Sequence, residues 1–307
     1  MARGTVMIAA VETYLALRRT AGFAMSNAAY LLRSFAKFAA DTQEPHIRTA
    51  TVINWASQAE SLAQRHTRYQ AVCDFARYVH QEDPLHESPS PNYFGYKKSR
   101  RVPYIYSPAE IDRLILAAMQ LSPPDTLRPQ TYATLISLLA VTGLRISEAL
   151  GLLISDVTPN GLLIRKTKFQ KTRLVPLHET SSLGLRNYLT QRLRAHSTGD
   201  HVFVGLSGQP LAYSTISAVF GNLLKSADIL ASLRCRPRLH GLRHTFAVRA
   251  LESSPGGRQR IGQHMLALAT YLGHVNIDST YWYLETTPEL LTDIAAAGER
   301  FLCGEQS

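Results

Sequence analysis

Four separated stretches of this chain collect arginine, lysine, histidine and tyrosine in arrangements that suit an anion. The first is Thr142-Gly-Leu-Arg-Ile-Ser-Glu148. Arg145 there follows a glycine turn at the start of a helix, where backbone N–H groups already favour negative charge. Glu148, three residues on, is close enough to orient its guanidinium. The second stretch, Arg165-Lys166-Thr-Lys168-Phe-Gln-Lys171-Thr-Arg173, holds five basic residues in nine and no acid. A β-ribbon of this kind can enter a DNA groove and bring a lysine to a phosphate. The third is Leu239-His240-Gly-Leu-Arg243-His244-Thr-Phe246, preceded by Arg234, Arg236 and Arg238. Helical spacing puts His240 and Arg243 on one face, while Leu242 and Phe246 anchor the other. In the fourth, Tyr271-Leu-Gly273-His274, the glycine ends a helix and leaves His274 at its carboxyl end, with Tyr281 and Tyr283 following. Each stretch also has a plainer reading: a surface ion pair, a solvated basic turn, a structural histidine, packing aromatics.

The elements that must carry these residues are mostly helical. Apolar residues recur at helical spacing through the first 80 positions, as in Leu31, Phe35, Phe38 and Ala39, and again in Val72, Phe75, Ala76 and Val79. Gly22, Pro45 and Pro84 punctuate them into helices over about 5–21, 26–41, 49–60 and 63–81. From Glu82 to Pro103 prolines and then the run NYFGYKKSRR read as an extended, solvated linker. Its Lys97, Lys98, Arg100 and Arg101 suit a DNA backbone. Ser107-Pro-Ala-Glu110 then opens a helix with a cap, a proline at the first helical position and a capping box. A helix over about 131–141 breaks at Thr142-Gly143. Strand-like GLLIRKTK (161–168) and KTRLVPL (171–177) follow as a hairpin. Further helices are expected over about 181–195, 213–227, 241–252, 263–272 and 288–302, with Ser253–Arg260 as a surface loop.

Composition narrows the partner. Among 307 residues, Lys+Arg 33 against Asp+Glu 23 give a net charge of +10, and residues 1–103 and 104–307 each carry +5. Both halves are basic, which points to a polyanion and most often to nucleic acid. No apolar run approaches the ~18 residues that a membrane span needs, so no membrane partner is expected. Cys73, Cys235 and Cys303 lie far apart with no CxxC, which argues against a metal site and fits a reducing compartment. GxxxxGK[ST], HExxH, GxSxG and nucleotide-binding GxGxxG are all missing, so ATP-driven and zinc-hydrolytic chemistry lose their footing.

Taken in order, TGLRISEALGL, the basic hairpin, HGLRHTF and LGH…Y resemble the tyrosine recombinase (phage integrase) family over about residues 107–290. The resemblance implies a mainly α fold with a small β-sheet. It divides the chain into a helical SAM-like core-binding domain (1–82), a linker (83–104) and an α+β catalytic domain (105–307) with a terminal helix over 288–302. It also implies a catalytic set of Arg145, Lys168, His240, Arg243, His274 and Tyr283. Lys171 is the fallback for Lys168. Tyr283, nine residues after His274, is preferred to Tyr281 as nucleophile.

The chemistry so implied is cleavage and rejoining of DNA through a 3′-phosphotyrosyl intermediate and a free 5′ hydroxyl, without metal, ATP or other cofactor. Arg165, Lys166, Lys171 and Arg173 join the linker cations as expected DNA contacts. The partners implied are double-stranded DNA and further protomers, as a tetramer on two sites, with other recombinases as a further class. The location implied is cytoplasmic and nucleoid-associated. Leu290, Ile294, Ala297 and Phe301 form an apolar stripe that would pack in cis or dock on a neighbour. A transposon-borne recombinase, a phage integrase and a chromosome-dimer resolvase would share all six residues, and integration, excision or transposition of a mobile element is the expected role. A DNA-binding, architectural protein that keeps the fold without strand exchange is the competing reading.

Overall fold

The computed structural model describes residues 2–97, 102–165, 172–195, 199–229, 236–253 and 258–273. The chain divides into two compact units, Met1–Arg100 and Arg101–Ser307. Among the described residues the fold is mainly α with one three-stranded sheet, as the sequence implied.

The first unit is built from α1 (Ala2–Thr20), α2 (Ser26–Asp41), α3 (Thr49–Ser57) and α4 (Leu62–Glu82). The apolar stripe of α2, including Leu32, Phe35 and Ala36, is buried against α1, α3 and α4. Phe35 meets Trp55 edge-on with ring centroids 5.4 Å apart. Full burial of such side chains contributes about 1.5–3 kcal/mol each, which holds together helices too short to persist alone. The third helix ends at Ser57, before the expected position 60. Ser61 already caps α4 by accepting from the Gln64 N–H at 3.2 Å, and Arg65 Nε satisfies the Ala59 carbonyl at 2.8 Å.

Much of the segment read as a solvated linker is folded onto this unit. His86 Nδ1 accepts from the Ile47 N–H at 3.0 Å, and the Tyr69 hydroxyl donates to the Ser90 carbonyl at 2.9 Å. Glu87 Oε2 accepts from the Thr49 N–H at 2.7 Å. That bond caps α3, whose own preceding residue, Arg48, supplies no side-chain cap. Phe94 packs on the core, edge-on to Tyr69. Prolines exclude helix here, but they do not exclude anchoring by side chains from afar.

The second unit contains α5 (Pro108–Met119), α6 (Arg128–Thr142), α7 (Ile146–Leu150), a 3₁₀ turn (Ile154–Asp156), and strands β1 (Val157–Thr158), β2 (Gly161–Ile164) and β3 (Arg173–Val175). Then come α8 (Glu179–Arg194), α9 (Tyr213–Ser226), α10 (Leu239–Glu252) and α11 (Arg258–Leu272). Ser107 and Glu110 form the anticipated capping box at the start of α5. The sheet is an antiparallel meander, β1-β2-β3, with Val157 opposite Leu162 and Ile164 opposite Arg173. β1 is two residues long, too short for any periodicity to reveal. The tip of the hairpin, 166–171, lies outside the described residues.

Helix α11 begins at Arg258, five residues before the expected start, so Arg258–Arg260 are helical and not part of a loop. Gly262 lies within this helix, where glycine is tolerated. The expected terminal helix 288–302 lies outside the described residues. Among the described residues, no helix is long and apolar enough to cross a membrane.

Candidate active site

The site is organised around the carboxyl end of α11. Helix α6 stops at Gly143, whose φ of +61° is left-handed. Glycine is needed twice over, because a Cβ there would also stand 2.5 Å from the Phe246 ring. The chain leaves this turn extended and sets Arg145 immediately before α7. Glu148 accepts from the Arg145 N–H at 2.9 Å and from its Nη1 at 2.8 Å, so the anticipated Arg145–Glu148 pair is present. Arg145 Nη2 donates to the Gly273 carbonyl at 3.0 Å, and its side chain remains 29% exposed.

Helix α10 brings in His240 and Arg243. It is pinned to the start of the unit through Tyr106: the Tyr106 N–H donates to Thr245 Oγ1 at 2.9 Å, and Arg249 Nη2 donates to the Tyr106 carbonyl at 2.8 Å. Arg243 is buried. Its Nη1 donates to the Gly143 carbonyl at 2.7 Å and its Nη2 to the Leu272 carbonyl at 2.8 Å. His240 stays accessible to solvent, edge-on to His244 with centroids 4.6 Å apart. Crowding strips enough water from it to lower its pKa from the ordinary imidazole value, and the charges of Arg243 and then Arg145 push the same way. The two guanidinium charges thus add to the loss of water in favouring the uncharged imidazole of His240.

A third arginine completes the arrangement. Arg173 on β3 donates from Nε to the Tyr271 carbonyl at 2.8 Å, and from Nη1 and Nη2 to Glu148 at 3.0 and 2.9 Å. Three consecutive carbonyls, Tyr271, Leu272 and Gly273, are thus capped by Arg173, Arg243 and Arg145, from three distant segments. A helix carboxyl end leaves its last carbonyls unpaired and carries partial negative charge, so cations are favoured there. Burial by itself would raise the Glu148 carboxyl, but hydrogen bonds from Arg173 and Arg145 outweigh it and hold the pKa below the ordinary range. Tyr271, stacked on Phe246, is instead pushed up to about 12 by burial, so its phenol stays protonated.

Among the sequence candidates, the structure gathers Arg145, His240 and Arg243. Lys168, His274 and Tyr283 lie outside the described residues, as do Lys98, Arg100, Arg101, Lys166 and Lys171. Lys97 is exposed on the first unit. Arg165 pairs through Nε with the buried Asp156 while staying 53% exposed. Arg173, expected as a DNA contact, has every donor nitrogen of its guanidinium engaged inside the protein, and its side chain is only 14% exposed. An arginine three residues from a lysine-rich turn reads as one more surface cation, and only the fold reveals its buried carboxylate. Among the described residues, no cluster of three His, Cys, Asp or Glu is placed to hold a metal ion.

Residues 107–289 match the phage integrase family. The chain belongs to that family, the tyrosine recombinases. It is 35% identical to the integrase/recombinase y4rB of Sinorhizobium fredii over 95% of this chain and 96% of that protein. Identity is 32% to the tyrosine recombinase XerD of Caulobacter vibrioides, over 74% of this chain and 72% of the other. In fold, this recombinase is similar to the XerH site-specific recombinase bound to its palindromic difH substrate. There the TM-score is 0.65 at 20% identity, covering 88% of this chain and 78% of that one. Arg145, His240 and Arg243 all fall within the matched range.

Proposed function

We propose that this recombinase cleaves and rejoins DNA at specific sites through a covalent 3′-phosphotyrosyl intermediate, serving integration, excision or transposition of a mobile element. The observation that carries the reading is the meeting of Arg145 and Arg243 at adjacent carbonyls at the carboxyl end of α11, with His240 near enough for both charges to lower its pKa. Two guanidiniums offer paired donors to the non-bridging oxygens of one phosphate, which a lysine does less well. In this reading the Tyr283 hydroxyl attacks the phosphorus. The Tyr Oη–P bond forms, the P–O5′ bond breaks, and the 3′ side of the strand stays on the enzyme. His240 takes the phenolic proton, Lys168 gives one to the departing 5′ oxygen, and His274 adds a donor to the same phosphate. The ester is conserved in the phosphotyrosine, so a 5′ hydroxyl can reverse the step without ATP.

The basic charge of both halves supports double-stranded DNA as partner, held largely through phosphate contacts. The first unit would serve as a core-binding domain and the second as the catalytic domain. A tetramer on two sites, in the cytoplasm, is the assembly in which strands could be exchanged.

The test is covalent capture. A pool of nicked duplexes with randomised arms is incubated with the full chain, and DNA attached through SDS-stable bonds is sequenced. Wild-type protein is expected to select a site. Tyr283→Phe should abolish attachment while retaining affinity for the selected duplex in a gel-shift titration. Adducts formed by the Phe variant would reject Tyr283 as nucleophile. Binding without any adduct from wild type would favour the architectural reading.

A further inference from the structure

Arg173 spans three parts of the second unit. It sits on β3 opposite Ile164, grips both oxygens of Glu148 beside α7, and holds the Tyr271 carbonyl in the last turn of α11. Glu148 is 7% exposed and also holds the Arg145 backbone and guanidinium. The fit is close on the remaining side, since a Cβ on Gly273 would lie 2.9 Å from Arg173 Nη1. Gly273 has a φ of +66° and directly precedes His274 in the chain. A planar fork meets two carboxylate oxygens and a third acceptor from three separate nitrogens in fixed geometry, whereas a lysine presents all three of its donors from one nitrogen.

We infer that Arg173 is a positioning residue for strand cleavage, fixing Glu148, and through it Arg145, in register with the carboxyl end of α11. This rests on the strand-transfer reading above. Arg173 touches no DNA in this role. It makes the arm of the hairpin, the arginine after the Gly143 turn and the residues leading into His274 move as one body. A misplacement of about 1 Å in such a set can cost about 10²-fold in rate.

The experiment uses the full chain and the nicked duplex captured by wild type. Arg173→Lys keeps the charge and loses the fork. It is expected to lower the single-turnover adduct rate at saturating protein by about 10²-fold, with little change in duplex affinity. Its pH–rate profile should gain an acid limb, because Glu148, facing only Arg145 and a poorly placed ammonium, takes up a proton at higher pH than in wild type. The pair Arg173→Met with Glu148→Gln should lack that limb. If Arg173→Lys does not fold at the assay temperature, Glu148→Gln replaces it and should show the same loss at saturation without an acid limb, since its amide does not titrate.

A wild-type rate at saturation in the variant that folds would overturn the inference, as would a loss seen only in affinity and melting temperature with an unchanged pH profile. If wild type itself forms no adduct, the strand-transfer reading fails and this one with it. Adducts from wild type together with an unimpaired Arg173→Lys sink this inference alone.

Discussion

The two arms of the β2–β3 hairpin each carry an arginine on a buried carboxylate, yet the two pairs are not equivalent. On one arm Arg165 meets Asp156, nine residues earlier, and remains 53% exposed. Asp156 spends its other oxygen on the Leu153 N–H at 3.1 Å, so the whole arrangement closes a local turn. On the other arm Arg173 is 14% exposed and meets Glu148, 25 residues earlier, and the Tyr271 carbonyl, 98 residues later. Glu148 in turn serves Arg145. An arginine–carboxylate pair thus works as a local staple on one arm and as the junction of three distant segments on the other. What decides is the second partner of each group, not the ion pair itself.

The sharpest way to break this contrast is Glu148→Ala. It leaves Arg173 and Arg145 facing each other without their shared carboxylate. Removing one side of a buried, hydrogen-bonded charge cluster costs about 3–5 kcal/mol, so a large fall in melting temperature and loss of adduct formation are expected together. The gap between wild type and variant should close in acid. Glu148 has a folded pKa below its unfolded value, so its contribution is complete above the ordinary carboxylate pKa, about 4.3. That contribution is lost as pH falls through the lower folded value. A melting-temperature difference that stays constant from neutral pH to pH ~3 would mean that the charge of Glu148 is not what stabilises the junction.

How far these features could be read in the sequence follows from the reach of the contacts involved. The Ser107–Glu110 box and the Arg145–Glu148 pair each span three residues, and both were visible in spacing alone. The helical stretches bearing Arg145 and Arg243 were legible because their motifs sit beside glycine turns and helix starts. The internal partners of Arg173 are not legible in its own segment, because the fold chooses them across 25 and 98 residues. The same limit hid the folding of residues 86–94 onto the first unit, where His86 and Glu87 reach back 39 and 38 residues to Ile47 and Thr49. Local pattern registers prolines and charge but not a backbone N–H waiting elsewhere for an acceptor. The triple cap on Tyr271, Leu272 and Gly273 is the extreme case, since nothing in the three segments that bear its arginines says that they meet at one helix end.

Asp156→Ala should come second in size. The Leu153 N–H would lose its acceptor in a partly buried position, at a cost of about 1 kcal/mol, the low end of the range for an unsatisfied donor. Arg165, being largely exposed, can turn to water once its partner is gone. Chemical denaturation should therefore show a clear but smaller loss than Glu148→Ala, and adducts should still form at saturating protein. Equal losses from the two substitutions would erase the distinction between staple and junction.

Arg165→Gln tests the exposed end of the weaker pair and should have the smallest effect. An ion pair with one partner more than half exposed contributes about 0–1 kcal/mol, so denaturation curves should nearly superimpose on wild type. If this arginine also faces DNA, affinity for the captured duplex should fall at low salt and converge with wild type as salt rises, because one phosphate contact has been removed. The rate at saturating protein should be unchanged. A fall in that saturated rate matching Arg173→Lys would show that both arms position the site alike, and the different burial of the two arginines would then carry no mechanistic meaning.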